Sequence, residues 1–347
     1  MTVMGRLVRW RRRLRIARDE WLSRFVPLNV GWVKRASAIS TTSDDLVVVC
    51  LVRNSEARVS AFLDHYLKLG ARHIVLVDNG STDRSVEKAC KSEDRVSILT
   101  CRLDYRAYQI PIKMWLTTGF AREGWCLVAD IDEYFDYPQS RQIDLRSFLG
   151  YLNANDFSGV VCQSVDLFSD RPLVEWPESG EDLRSACVWY DHSVLTRPGT
   201  LRSFTLNRVS SPEIKPCRGG IKKVAFGVDR LLTKHVLIRP SKGTRLNGAH
   251  HSRGANIADV SAALLHYPFD RGFRARCEEA ARGGQYWQNS LEFRVMLRVV
   301  ESQGPRWILK QPTASRLRSV DQLVDEGFLV VTDRYRQYVR GRTRPTV

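Results

Sequence analysis

Trp125-Cys126-Leu127-Val128-Ala129-Asp130-Ile131-Asp132-Glu133-Tyr134-Phe135 is the stretch whose reading decides the fold. Its first residues are an apolar run of the kind that fills a strand buried on both faces, and the run ends in two aspartates at i and i+2. In an extended chain alternate side chains share a face, so the pattern predicts that Asp130 and Asp132 point the same way while Ile131 turns to the core. Two bare carboxylates on one face repel each other. A hard divalent cation with oxygen ligands relieves that repulsion, and Mg²⁺ or Mn²⁺ is the usual choice beside phosphate. A strand end carrying two solvated acids would be written with the same letters.

The preceding residues repeat the theme. Leu46-Val47-Val48-Val49-Cys50-Leu51-Val52 reads as a parallel strand, followed by Arg53-Asn54-Ser55-Glu56, a turn in which Asn54 or Ser55 is the expected N-cap. Val59, Phe62, Leu63, Tyr66, Leu67 and Leu69 recur at helical spacing, and Gly70 stops that helix. His73-Ile74-Val75-Leu76-Val77 is a second strand closing on Asp78-Asn79-Gly80-Ser81-Thr82-Asp83, a short helix is expected over 84–90, and 96–101 is a third strand. Alternating strands and helices predict an α/β protein with a right-handed, mostly parallel, Rossmann-like sheet. Ligands of such sheets bind at the carboxyl ends of the strands, where Asn54, Asp78 and the Asp130/Asp132 pair all fall.

These residues resemble a known family. Leu51-Val52-Arg53-Asn54-Ser55-Glu56, His65-Tyr66-x-x-Leu69-Gly70-Ala71, Val77-Asp78-Asn79-Gly80-Ser81-x-Asp83 and Asp130-Ile131-Asp132-Glu133-Tyr134-Phe135 are similar to family-2-type glycosyltransferases with the GT-A fold, in the bacterial branch with a D-x-D-E-[FY] signature that is also similar to the family-92 type. Gly219-Gly220-Ile221-Lys222-Lys223-x-x-Phe226-Gly227 resembles the branch's Gly-Gly-basic element. Lys234, His250-His251 and Leu264-Leu265-His266-Tyr267 resemble its later landmarks, so the likeness spans roughly 46–296. The chain departs at Asn54-Ser55-Glu56, where many relatives have the acid directly after the asparagine.

The resemblance implies a metal-dependent hexosyltransferase, inverting in mechanism, that moves a sugar from a nucleotide-sugar, most naturally a UDP-sugar, to a glycan, lipid-linked or other hydroxyl acceptor in surface polysaccharide synthesis. Val52, Arg53, Asn54 and Asp78 would meet the base and ribose. Asp132 would hold Mn²⁺ or Mg²⁺, with Asp130 on ribose or metal. GT-A enzymes often close the metal site with a C-terminal histidine, which implies His251 or His266 here. Lys222 and Lys223 beside the glycine pair could lend charge to a pyrophosphate, or could be surface lysines at a turn. Glu133 is expected to orient the site. An inverting enzyme needs a carboxylate beside the acceptor hydroxyl. Asp166, Glu181, Asp182 and Asp191 are the candidates, Asp166 and Asp182 foremost, although Glu181-Asp182-Leu183-Arg184 precedes the glycine pair, the reverse of the family order.

Charge is unevenly placed. The formal net charge is +16, and residues 1–43 carry nine arginines and one lysine against Asp19 and Glu20, a net +8. Leu7, Trp10, Leu14, Ala17, Trp21 and Phe25 fall at helical spacing among those arginines. A basic helix with a tryptophan-rich stripe predicts an anionic membrane surface as partner, or else a helix packed on the enzyme itself. No nucleic-acid partner is expected, because no recognition module accompanies the charge. The eight cysteines include no C-x-x-C, which favours reduced, buried thiols and a cytoplasmic protein, peripheral on the inner face of the cell membrane. No run reaches the roughly 18 apolar residues that span a bilayer. The organisation read from this is a basic arm over 1–43 and a catalytic domain over 44–301. That domain splits into a nucleotide-sugar half, 44–158, and an acceptor half, 159–301, the latter with a strand over 159–168, a strand ending at His266 and helices over 271–282 and 285–300. The appendix 302–347 is expected to end in a solvated basic tail with Arg334, Arg336, Arg340, Arg342 and Arg344. The rival readings are a nucleotidyltransferase on a similar sheet, which Arg53-Asn54-Ser55-Glu56 does not favour for want of a glycine-rich basic loop, and a non-catalytic basic membrane- or nucleic-acid-binding protein.

Overall fold

A computed structural model describes residues 3–37, 40–178, 182–199, 204–284 and 287–342. Glu181, Gln285 and Arg344 therefore lie outside the described residues. The strands of four residues or more are β1 (Val30–Lys34), β2 (Leu46–Val52), β3 (His73–Asp78), β4 (Val96–Cys101), β5 (Trp125–Val128), β6 (Glu133–Asp136), β7 (Gly159–Asp166), β8 (Thr233–Ile238) and β9 (Ala262–His266). The α-helices are α1 (Val3–Ser23), α2 (Val59–Leu69), α3 (Ser85–Cys90), α4 (Tyr105–Phe120), α5 (Leu145–Ala154), α6 (Leu183–Ala186), α7 (Ile221–Phe226), α8 (Phe273–Gly283), α9 (Trp287–Gln303), α10 (Val320–Asp325) and α11 (Asp333–Arg340).

The molecule is a mixed α/β protein built on one large sheet in which parallel pairings predominate. Its spine runs β1-β4-β3-β2-β5-β8-β7, and β9 and β6 branch from β7. Strands β4, β3, β2 and β5 are mutually parallel, and their apolar runs are buried on both faces as the sequence requires. The chain winds outward from β2 through β3 to β4, then returns to the other flank of β2 as β5. The crevice beyond the carboxyl ends of β2 and β5 is thus a topological switch point, the place where open α/β sheets bind ligands. Strand β8 runs antiparallel between β5 and β7, and β9 lies parallel to β7 and antiparallel to β6.

Local chemistry explains most boundaries. Helix α2 buries Val59, Phe62, Leu63 and Tyr66 and stops at Gly70, whose φ of 100° suits a residue without Cβ. Its N-cap is Arg58 rather than Asn54 or Ser55. The amides of Asn54 and Ser55 are taken by the hydroxyls of Ser81 and Ser85, which pins both residues in the loop.

Two segments differ from expectation. The basic arm over 1–43 contributes to the sheet: Val26 is fully buried, and β1 pairs antiparallel with β4, covering that edge of the sheet. Arg334, Arg336 and Arg340 lie within α11 rather than in a solvated tail, and Arg342 just after it. In that helix Tyr335 and Val339 are wholly buried, the Tyr335 hydroxyl donates to Pro138 O at 2.7 Å, and Arg334 pairs with Asp259 at 2.8 Å. All eight cysteines are free thiols, and every one but Cys90 is buried.

Buried histidines make stability sensitive to acid: burial lowers His65, His73, His192, His235 and His250. Burial pushes His73 down to about 4 and His235 to about 3, the latter with help from the charge of His251. Unfolded, both titrate near 6.5. Their contribution is complete above that pH and is lost as pH falls toward the folded values, because the unfolded chain binds the extra protons. His266, discussed below, is shifted the opposite way, so its contribution is nearly complete at pH 6.5 and does not fall below it. The urea midpoint should therefore decline between pH 6.5 and 5, before most carboxylates titrate, and decline less in His235→Gln. A flat midpoint across that window would refute the assignment.

Candidate active site

Asp130 and Asp132 do not share the face of a strand. Strand β5 ends at Val128, and residues 130–133 form a turn closed by the Glu133 amide donating to Asp130 O at 3.0 Å. The turn sends the two carboxylates to different partners. Asp130 meets Lys113 Nζ of α4 at 2.9 Å and Lys234 Nζ of β8 at 3.9 Å. Asp132 meets Arg58 at 3.2 Å and His266 Nε2 at 3.3 Å. The expected repulsion is thus cancelled by protein cations. Burial opposes ionisation of both acids, but Lys113 and Lys234 outweigh it at Asp130, and His266 and Arg58 at Asp132, holding both well below the usual carboxylate range. Glu133 is buried, pairs with Lys234 and accepts from the Asp130 amide at 3.3 Å, which sets the shape of the turn.

Strand register delivers the other half of the site. His266 ends β9 opposite Asp166 at the end of β7 and opposite Glu133 at the start of β6. The Tyr267 amide donates to Asp132 O at 3.0 Å, so the strand end and the turn are stitched together. His266 Nδ1 lies 2.5 Å from Asp166 Oδ1, leaving Nε2 toward Asp132. Burial disfavours the imidazolium, but Asp132 and Asp166 outweigh it and raise His266 to about 9. Asp166, buried yet facing Lys222 at 3.8 Å and His266, is lowered to about 2. A base works best with a pKa near the operating pH, so Asp166 is a weak proton acceptor and a strong orienting group for His266.

The donors suit a divalent cation in part. Asp132 Oδ2 and His266 Nε2, the latter once a cation displaces its proton, offer one hard oxygen and one imidazole nitrogen side by side, and the Asp166 contact fixes the ring as outer carboxylates do for metal-bound histidines. Among the described residues no group of three or more such side chains encloses a metal. Mg²⁺ and Mn²⁺ commonly take one or two protein ligands and complete their shell with substrate phosphates and water, so this pair fits that mode. His251 is not part of it. Its ring packs edge-on against His235, centroids 5.3 Å apart, and its neighbour His250 is the one within electrostatic reach of Asp130 and Lys234.

Strand-end loops are laced together on the opposite flank of the switch point. Thr82 N–H donates to Asn54 Oδ1 at 2.9 Å, Asn79 Nδ2 donates to Cys101 O at 2.7 Å, and Asn54 holds a left-handed φ of 48°. Val52 is buried, whereas Arg53 and Asn54 are exposed at the rim. Asp78 is buried, and its carboxylate accepts from the amides of Gly80 and Ser81, so it shapes its own turn. Of the basic pair after the glycines, Lys222 reaches Asp166 and also Glu292 at 3.7 Å, while Lys223 turns to Asp229 at 3.7 Å. Gly219 has φ 116°, and a Cβ there would meet Val194 O at 2.6 Å, which accounts for that glycine. Asp182 caps α6 and pairs with Arg184 on the surface, within electrostatic reach of Tyr134 and Tyr267. Asp191 is buried and bound to Ser193 and Thr313, a structural role.

Lys113, Arg58 and Asp270 were not anticipated. Arg58 is buried, pairs with Asp270 as well as Asp132, and donates to Tyr267 O at 3.0 Å. Asp270 is fully buried and also holds Arg276 at 2.6 Å. The only trace in the sequence is a lysine inside the apolar run Ile110–Leu116 and an arginine at the start of an apolar helix.

No family model matches the chain, and no curated protein matches it. Among solved structures, S. aureus TarS 1-349 in complex with UDP is 15% identical over 41% of this chain and 43% of that one, with a TM-score of 0.29. Full TarS is 17% identical over 35% of this chain and 21% of that one, at 0.28. The mannosyltransferase PcManGT from Pyrobaculum calidifontis, in complex with GDP-Man and Mn²⁺, is 11% identical over 94% and 91%, at 0.29. The aligned part spans less than half the length of either TarS chain. Superpositions this loose carry no argument about function, which rests on the site itself.

The buried ion pairs give a direct stability test. Asp270→Ala leaves Arg58 and Arg276 without their carboxylate, and stranding a buried charge costs about 3–5 kcal/mol. Urea unfolding should show that loss with an unchanged slope. A loss below about 1 kcal/mol would mean that water or Asp132 compensates.

Proposed function

We propose that this chain is a GT-A-type glycosyltransferase that uses a nucleotide-sugar, most naturally a UDP-sugar, and a hydroxyl acceptor. The observation that carries the reading is the run Asp132–His266–Asp166, assembled by strand register at the carboxyl-end rim beside the β2/β5 switch point. The sequence resemblance to family-2-type enzymes supports it independently. Nucleotide would lie along the laced loops after β2 and β3, with Asn54 and Arg53 exposed to meet it. Asp132 and His266 would hold Mn²⁺ or Mg²⁺, which when bound stabilises negative charge on a leaving diphosphate.

The chain's own residues carry the rest. Asp166 keeps the His266 ring oriented with Nε2 toward Asp132. Lys234 and Lys113 fix Asp130 at the rim, where it can accept from a ribose hydroxyl, and Lys222 adds a preorganised positive charge near the reacting end. For an inverting transfer the acceptor hydroxyl must lose its proton to a carboxylate. Asp166 is buried and engaged by His266 and Lys222, so the exposed Asp182 is the candidate base.

Thermal shift with UDP, with and without Mn²⁺, tests the reading as a difference, so a lowered baseline does not obscure it. The Mn²⁺-dependent increment should vanish in Asp132→Asn and in His266→Ala and persist in Asp182→Asn. Turnover of the Asp182→Asn variant should fall by about 10²–10⁴-fold, the usual share of a general base. An unchanged increment in His266→Ala would overturn the metal assignment, and unchanged turnover in Asp182→Asn would overturn the base.

A further inference from the structure

We infer that the outward face of α1, continued by the turn that follows it, is a docking surface for an anionic lipid bilayer. A helix lying on a globular protein ordinarily turns its apolar stripe inward. Over residues 13–23 helix α1 places polar residues inward: its inward side is formed by the buried Asp19 and the half-buried Ile16, Glu20 and Ser23, at i, i+3, i+4 and i+7, with the half-buried Leu22 on its flank. Trp10, Leu14, Trp21 and Phe25 face solvent, Trp10 and Trp21 at 59% and 56% exposure. Leu28, in the turn before β1, is 80% exposed, and Trp32 on β1 is 42% exposed. The exposed Arg13, Arg15, Arg18 and Arg24 lie on the same helix or just after it.

Charge selects the occupant. Residues 3–29 carry eight arginines against Asp19 and Glu20, a net +6 of the chain's +16. A two-fold dimer through this segment would press two such basic surfaces together, because such an interface brings the same patch to both sides. Nucleic acid would satisfy the arginines but leave Leu14 and Leu28 exposed to water. An interfacial bilayer region satisfies both, seating tryptophan and leucine at the acyl boundary and arginine among anionic headgroups.

Topology also fixes where such a bilayer would lie. Val30, the first residue of β1, pairs with Cys101 at the carboxyl end of β4, and Asp78 pairs with Thr100 on the same strand. The turn carrying Leu28 is therefore at the level of the candidate site. Glu20 forms an ion pair with Arg253, which follows His250 and His251 on the segment that borders Asp130. Docking through this face brings the strand-end rim to the membrane surface. The inference does not depend on glycosyl transfer and stands or falls separately.

The test is co-sedimentation of the full chain with vesicles of phosphatidylcholine alone and of phosphatidylcholine with phosphatidylglycerol. Binding should require the anionic lipid, weaken as salt rises, and shift tryptophan emission to the blue. Trp10→Glu/Trp21→Glu and, separately, Leu28→Glu should each reduce binding with circular dichroism unchanged. Arg13→Gln/Arg15→Gln should reduce it roughly thirtyfold. Failure to bind anionic vesicles, equal binding by all variants, or a concentration-dependent dimer abolished by Trp10→Glu/Trp21→Glu in the absence of vesicle binding would each overturn the inference.

Discussion

A charge removed from water needs a partner, and at the strand-end rim that requirement organises the molecule. Asp132, Asp130, Glu133, Asp166 and Asp270 crowd a region where uncompensated carboxylates would be too costly to keep. Each is answered by a cation from a different element: Arg58 ahead of α2, Lys113 on α4, Lys234 on β8, His266 on β9, Lys222 on α7 and Arg276 on α8. Because the partners come from so many elements, satisfying the charges also fixes how those elements sit around the switch point. The same arrangement splits the acids by role. Asp166 and Asp270 are sealed and act on other residues, whereas Asp130 and Asp132 keep part of their surface at the rim where a ligand can compete for them.

The frame of the sheet was legible in the letters because continuous apolar runs have few other homes. Strands β2, β3, β4, β5, β7 and β9 all appear where such runs predict them, and the rim residues follow from strand order. The turn at 130–133 was not legible, since Asp-x-Asp reads the same in a strand and in a turn, and only the Glu133 amide bond to Asp130 distinguishes them. The placement of His266 beside Asp132 was not legible either, because it depends on a register set between β7, β9 and β6, elements far apart in sequence. Lys113 and Arg58 were invisible for a different reason: a single charged residue in an amphipathic helix is read as solvated, and nothing local announces a carboxylate waiting across the core. The same blindness hid α11, where two residues, Tyr335 and Val339, anchor a helix whose composition is otherwise that of a basic tail. Strand β1 was missed because Val-Gly-Trp-Val-Lys is short, interrupted by glycine and only half covered.

The pairing of β1 with β4 also has a temporal side. Val30 and Cys101 are 71 residues apart in the chain, so β1 cannot make this pairing until β4 exists. The seat of α1 comes later still, because that helix lies against α4, which ends at Phe120. A chain synthesised only as far as residue 100 thus presents a basic, tryptophan-bearing helix whose seat on α4 is not yet made. Whatever that helix meets during this interval, it meets before the sheet edge is closed, and the non-local contacts that finally hold it are those that pay loop-closure entropy before any return.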